Sequence, residues 1–184
     1  MSIAPNNRPQ LDRQRPQELL TAAGVTAKVA IVGIRGYFAS MGKPGANDRG
    51  IYDDAIFVLT PTKYAPFNAN VDPSVYRPGH GTGEEKGIAT LKPGIWNFTV
   101  GLHRGKYIAL RQHGRFTVVR DGRPHDYEDS GDGFGINIHR GGFNGTSSLG
   151  CQTIVPEQWA SFIQLVTSEL EKYAQKVVPY LLVA

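Results

Sequence analysis

One cysteine, Cys151, stands among 184 residues. An intrachain disulfide is therefore excluded, as is a zinc site built on several thiolates. No apolar run approaches the roughly 18 residues that a membrane-spanning helix needs, so no membrane insertion is expected. The first 17 residues are polar and Pro-rich, with Arg8, Arg13 and Arg15 but without the apolar stretch of a secretory signal. The expectation is synthesis in the cytoplasm without a Sec signal peptide. Charge of one sign is also scarce. Twenty Lys and Arg against 16 Asp and Glu leave +4, scattered with neither a basic run nor a nucleic-acid motif. Nucleic acid is not an expected partner, although a small excess suits contact with an anionic polymer. There is no internal repeat, and no His pair at ligand spacing such as H-E-x-x-H. His80, His103, His113 and His125 are accordingly read as loop or surface residues, with no metal and no cofactor.

What the chain does have is glycine (22) and proline (12), enough to punctuate many short strands. Hydrophobic residues at 40% can fill a core. The fold class expected is mainly β (α+β), a single β-rich domain with one long C-terminal helix followed by a final strand. Residues 1–24 read as a flexible N-terminal arm and short helix, and 25–184 as the catalytic domain. Strands are expected over 28–38, 51–59, 95–102, 106–112, 116–120 and 135–139, the 116–120 strand closing on a hairpin-type turn at Asp121-Gly122. Residues 61–94 read as one long irregular segment, and 127–133 as an acidic loop. Pro156 opens a helix on which Trp159, Phe162, Ile163, Val166, Leu170 and Tyr173 recur at helical spacing, as a core-facing stripe does. Glu157 in its first turn and Lys172 in its last suit the helix dipole. Val177 to Val183 is the last strand, with Pro179 pointing to a sheet edge.

Chemistry concentrates near Cys151. In Gly135 to His139 (GINIH), alternation puts Ile136 and Ile138 on one face and Asn137 with His139 on the other. A loop carrying Gly141, Gly142, Gly145 and Gly150 follows and ends on Cys151. A thiol attacks carbonyls as thiolate and so needs a base beside it. His139 at a strand end and Cys151 after a folding-back loop make such a pair. Gly150 permits close backbone approach, and amides there could hold an oxyanion.

The segment Ile138 to Cys151, IHRGGFNGTSSLGC, resembles the active-site signature of L,D-transpeptidases: a His-Gly pair, a loop, then Ser/Thr-His-Gly-Cys. Thr90-Leu91-Lys92-Pro93-Gly94 is similar to that family's Thr-Pro-x-Gly turn, and the downstream helix and strand follow its order. The likeness spans roughly residues 88–183. It implies an L,D-transpeptidase-like domain, with Cys151 forming a thioester to a peptidoglycan stem peptide and His139 as its base. Ser148, Gly150, Asn137, Arg140, Gly141 and Thr153 become oxyanion or substrate-binding candidates. Arg140 stands where the family has Gly, Leu149 where it has His, Gln152 where it has an aliphatic residue, and Thr153 where it often has Arg.

The reading is of a divergent member acting on bacterial peptidoglycan, as a phage endolysin or an injected antibacterial effector does. Such a bacteriolytic hydrolase would act in the periplasm or cell wall after delivery by a holin or secretion machinery. Aminolysis of the thioester would instead make it a crosslink-forming or exchanging enzyme. Two other classes stay open: a muramidase-type glycosidase using Glu84-Glu85 or carboxylates between Asp126 and Asp132, and a non-catalytic wall-binding module. Tyr64, Phe67 and Tyr76 are candidates for lining a groove.

Overall fold

The computed structural model describes residues 2–80 and 86–184. Its elements run α1 (Gln14–Ala22), β1 (Ala30–Ile34), β2 (Asp54–Leu59), β3 (Tyr64–Asn70), β4 (Ala89–Leu91), β5 (Gly94–His103), β6 (Tyr107–His113), β7 (Phe116–Arg120), β8 (Tyr127–Gly131), β9 (Asn137–Arg140), β10 (Gln152–Ile154), α2 (Pro156–Lys172) and β11 (Val177–Val183). Eight strands close a barrel in the order β1-β11-β5-β6-β9-β10-β3-β2, while β4, β7 and β8 form a smaller sheet. The described residues are mostly β with two helices, the longer one preceding β11.

Burial on two faces explains the most apolar strands. Ile31, Ile56, Val58 and Tyr180 belong to the main core, whereas Ala30, Val32, Ala55, Phe57, Leu59 and Leu181 meet Leu20 of α1. Strands covered on both sides read as continuous apolar runs rather than as alternation. The α2 stripe enters the main core through Trp159, Phe162, Val166 and Leu170. Phe162 meets Phe67 edge-on at 5.2 Å, and burying such a ring stabilises by about 2–3 kcal/mol.

Three expectations about the sheets are corrected. Residues 61–94 contain β3, which is paired to β2 on one side and β10 on the other. Its sequence, YAPFNAN, alternates only weakly: Ala65, Phe67 and Ala69 face the main core, while Asn68 and Asn70 on the other face are polar yet buried, and the Asn68 N–H donates to Gln158 Oε1 at 2.9 Å. The acidic stretch at 127 is β8, a polar strand paired to β7 at one edge of the small sheet; charged side chains suit an edge. Lastly, β11 sits inside the barrel between β1 and β5, not at an edge. Pro179 is tolerated because the β1 ladder begins one residue later, at Tyr180 opposite Ile31.

The N-terminal arm lies along the barrel. Tyr52 N–H donates to Ile3 O at 2.7 Å, Arg8 reaches Pro66 O at 3.2 Å, and the Leu11 N–H donates to Tyr37 Oη at 3.1 Å. Arg8 also stands over the Phe67 ring at 5.3 Å.

Candidate functional site

The pairing of β9 with β10 builds the site. The two strands run parallel, with Gln152 opposite Ile138 and Thr153 opposite His139. A parallel return must carry the chain back to the end where the first strand began. The loop after Arg140 does so and delivers Cys151 beside the start of β9, where the Asn137 N–H donates to Cys151 Sγ at 3.4 Å. Ile136 and Ile138 enter the core, and Asn137 and His139 take the opposite face.

Upstream residues hold the loop. Tyr52 Oη donates to Gly142 O at 2.8 Å, and Gly141 passes so close that a Cβ there would lie 2.0 Å from Tyr52 Oη. Ser148 N–H donates to Ser74 Oγ at 2.8 Å, and Ser74 N–H returns a bond to Ser148 O at 2.8 Å. Ser148 Oγ donates to Cys151 O at 2.6 Å while accepting the Gly150 N–H at 3.0 Å. Gly150 has φ +128°, and a Cβ would fall 2.5 Å from Ala89 O. Ser148 and Gly150 thus shape the turn into Cys151 instead of meeting a ligand. The expected oxyanion role of Gly150 is corrected for the same reason, since its N–H is already taken. Thr153 is fully buried on β10, with its hydroxyl unpartnered, and is no substrate contact. Gln152 is buried too, accepting from Tyr180 Oη at 3.0 Å.

His139 is 4% exposed. Its Nδ1 lies 2.8 Å from Arg140 O. A carbonyl only accepts, so Nδ1 carries the hydrogen and Nε2 keeps the basic lone pair. Tyr107 Oη is farther from Nδ1, at 3.4 Å. Burial holds the His139 imidazolium down to about 4; the bond to Arg140 opposes this, and His103 and Arg104 add to it. Burial also raises the Cys151 thiol, against the pull of the Asn137 amide and Arg104. Cys151 Sγ itself donates to Gly135 O at 3.6 Å, and among the described residues no hydrogen bond joins it to His139. Near neutral pH Cys151 is a thiol and His139 a neutral imidazole, with no preformed ion pair.

His103 is corrected from surface residue to part of the site. It closes β5, is 8% exposed, and stacks on His139 with ring centroids 4.1 Å apart and planes 25° apart. Asn137 Nδ2 lies 3.0 Å from its Nδ1, and donation there leaves the His103 hydrogen on Nε2. Burial, then Arg104, lowers its pKa. The β5–β6 hairpin places His103 opposite Tyr107. That register is implicit in Arg104-Gly105 as a turn, the one clue the sequence offered. Arg140 is exposed, with its guanidinium 5.7 Å from the Tyr107 ring centroid. A cavity of about 280 Å³ is walled by both histidines, Arg104, Lys106, Tyr107, Arg140, Gly141 and Ser147.

Comparison with family models, with curated proteins and with solved structures finds no match. The chemistry therefore rests on the residues themselves.

The glycosidase carboxylates fare differently. Glu84 and Glu85 lie outside the described residues. Asp126 accepts from the Gly122 N–H at 3.0 Å and from Tyr76 Oη at 2.8 Å, and Asp129 from Arg120 at 2.6 Å. These bonds hold both below the ordinary carboxylate range, the wrong direction for a general acid. Burial does raise Asp53, to about 6, and Asp54 well above its usual value. Both are fully buried, so no glycan reaches them. Of the proposed groove aromatics, Phe67 is core, Tyr64 Oη donates to Leu11 O, and Tyr76 serves Asp126. Among the described residues no helix is long and apolar enough to cross a membrane.

Proposed function

We propose that this protein is a peptidoglycan-active cysteine enzyme that cleaves stem peptides or their crosslinks through a thioester at Cys151, as the L,D-transpeptidase resemblance implies. One observation carries the reading. The lone cysteine is set by a parallel crossover beside a strand whose histidine has a fixed tautomer, an Nε2 that takes no hydrogen bond among the described residues, and neutral charge at pH 7.

The steps follow from those atoms. His139 Nε2 takes the thiol proton as Sγ adds to the peptide carbonyl carbon. General-base removal suits a neutral pair, because the thiolate forms only as the new bond does. The Cys151 N–H, which no acceptor among the described residues takes, is the donor available to the oxyanion. Collapse breaks the C–N bond, and His139 returns its proton to the leaving amine. Water, deprotonated by the same nitrogen, then adds to the thioester carbonyl; the C–S bond breaks, the shortened peptide leaves as its acid, and Cys151 Sγ takes the proton back from His139. His103 and Asn137 act as positioning residues: the stacked ring restricts His139, and Asn137 fixes that ring in turn. Hydrolysis is favoured over transfer because a transferase must hold an amine in line and exclude water, whereas this cavity is rimmed by exposed Arg104, Lys106 and Arg140.

The test is digestion of purified sacculi by wild type and Cys151→Ala, with mass spectrometry of products and acceptor stem peptide present. Shortened stems or separated crosslinks that vanish in the variant support the reading. Reducing-end sugars without peptide cleavage would establish the glycosidase class instead. Abundant new crosslinks would establish the transferase, and binding without any product the wall-binding module.

A further inference from the structure

The cavity that His103 and His139 wall on one side has a one-sided electrical character. Arg104, Lys106 and Arg140 wall it, and no Asp or Glu does. Among the described residues none of the three forms an ion pair, although seven such pairs occur elsewhere. Three like charges converging without a counter-charge repel one another and lower the energy of any anion placed between them. The backbone is consistent with a function here. Among the described residues three non-glycine residues have positive φ, and two of them, Arg104 (50°) and Ser147 (57°), line this cavity. Arg104 occupies a turn position that glycine would fill without strain, next to Gly105 at φ 70°. Its charge acts on His103, Tyr107, His139 and Cys151 together. Arg140 is oriented by the Tyr107 ring.

We infer that this cavity recognises a free carboxylate on the acyl donor, with Arg104, Lys106 and Arg140 as specificity-determining residues for a donor that is anionic next to its reacting carbonyl. This rests on the thioester reading and narrows it: a stem peptide whose diamino residue keeps its side-chain carboxylate is the substrate class, and its amidated counterpart is a poor one. A guanidinium can take a carboxylate through two parallel bonds, which an amide cannot replace.

Two measurements on the full chain test it. The first needs no peptidoglycan: Cys151 is alkylated with iodoacetate and with iodoacetamide, a pair alike in size and different in charge. The rate ratio, normalised to N-acetylcysteine, should favour iodoacetate by about tenfold at low salt and shrink at high salt. It should fall in Lys106→Gln, Arg140→Gln and Arg104→Gly, the last of which relieves backbone strain, so a lost preference there is not damage to folding. The second compares kcat/KM for two tetrapeptide stems that differ only in a free or amidated side-chain carboxylate. An iodoacetate preference together with faster cleavage of the free acid supports the inference. A normalised ratio of one, or one unmoved in the triple variant, overturns it. Equal cleavage of both stems overturns it while leaving the thioester reading intact. An iodoacetate preference without cleavage of either stem overturns the thioester reading and leaves the anion cavity supported.

Discussion

Lowering the pH should destabilise this fold through His139, and a single substitution isolates the effect. In the folded chain the imidazole is buried and protonates only near pH 4, whereas in the unfolded chain it takes a proton near its ordinary 6.5. Above pH 7 it is neutral in both states and contributes nothing. As the pH falls through 6.5 the unfolded chain binds a proton that the folded chain refuses, so stability declines until pH 4. Each unit is about 1.4 kcal/mol, giving a total of about 3 kcal/mol. Asp53 works in the opposite sense. Its folded value is raised from 3.8 to about 6, so its contribution is fully present below pH 3.8 and is lost as pH rises toward 6. That contribution is common to wild type and His139→Gln, and the difference between the two proteins removes it. Urea unfolding followed by tryptophan fluorescence at pH 7.5, 6, 5 and 4 gives the difference directly. Wild type should lose about 3 kcal/mol relative to His139→Gln across that range. A difference constant to within about 0.5 kcal/mol would refute both the burial argument and the neutral resting imidazole that the mechanism uses.

Alkylation of Cys151 by iodoacetamide should rise continuously through pH 9 with no plateau near neutrality, because burial raises the thiol and no imidazolium stands beside it. His139→Ala should slow it near pH 7; labelling only after denaturation would return Cys151 to a structural role. Gly150→Ala must place a β-carbon 2.5 Å from Ala89 O at φ +128°. The expected loss is about 2 kcal/mol or more, seen as a drop in Tm and in thiol reactivity, and an unchanged melt contradicts the geometry. Leu149→His restores the residue of the resembled family at a half-exposed position (52%). It should change stability by less than about 0.5 kcal/mol, and a hundredfold change in activity would show that position 149 takes part in the chemistry.

The legible parts of the sequence are those governed by local period. The α2 stripe was readable because one helix face meets one core, and β9 because Ile136 and Ile138 alternate with Asn137 and His139. Long-range pairing hid the rest. In β3, Ala65, Phe67 and Ala69 do alternate with Pro66, Asn68 and Asn70, but one large apolar residue between two alanines is a faint period, and the strand is held because β2 and β10 flank it. His103 looked like a hairpin-end residue. Its burial depends on β5, β6 and β9 lying side by side and on a ring from β9 stacking over it. Ser148, Gly150 and Thr153 were readable as important, but their tasks are set by backbone partners: Ser74 and Ala89 from distant segments around the loop, and the β9 ladder beside Thr153.

The barrel closes through β1 against β11, the first strand against the last. While the chain is being made, every residue of the site exists before the strand that seals the barrel does. Contacts this remote in sequence form late and slowly. A nascent chain that has not yet added β11 holds Cys151, His139 and His103 without the enclosure that keeps the histidine neutral. Under the chemistry proposed above, that ordering is a safeguard written into topology: an unfinished copy carries the thiol without the neutral base that the reaction needs.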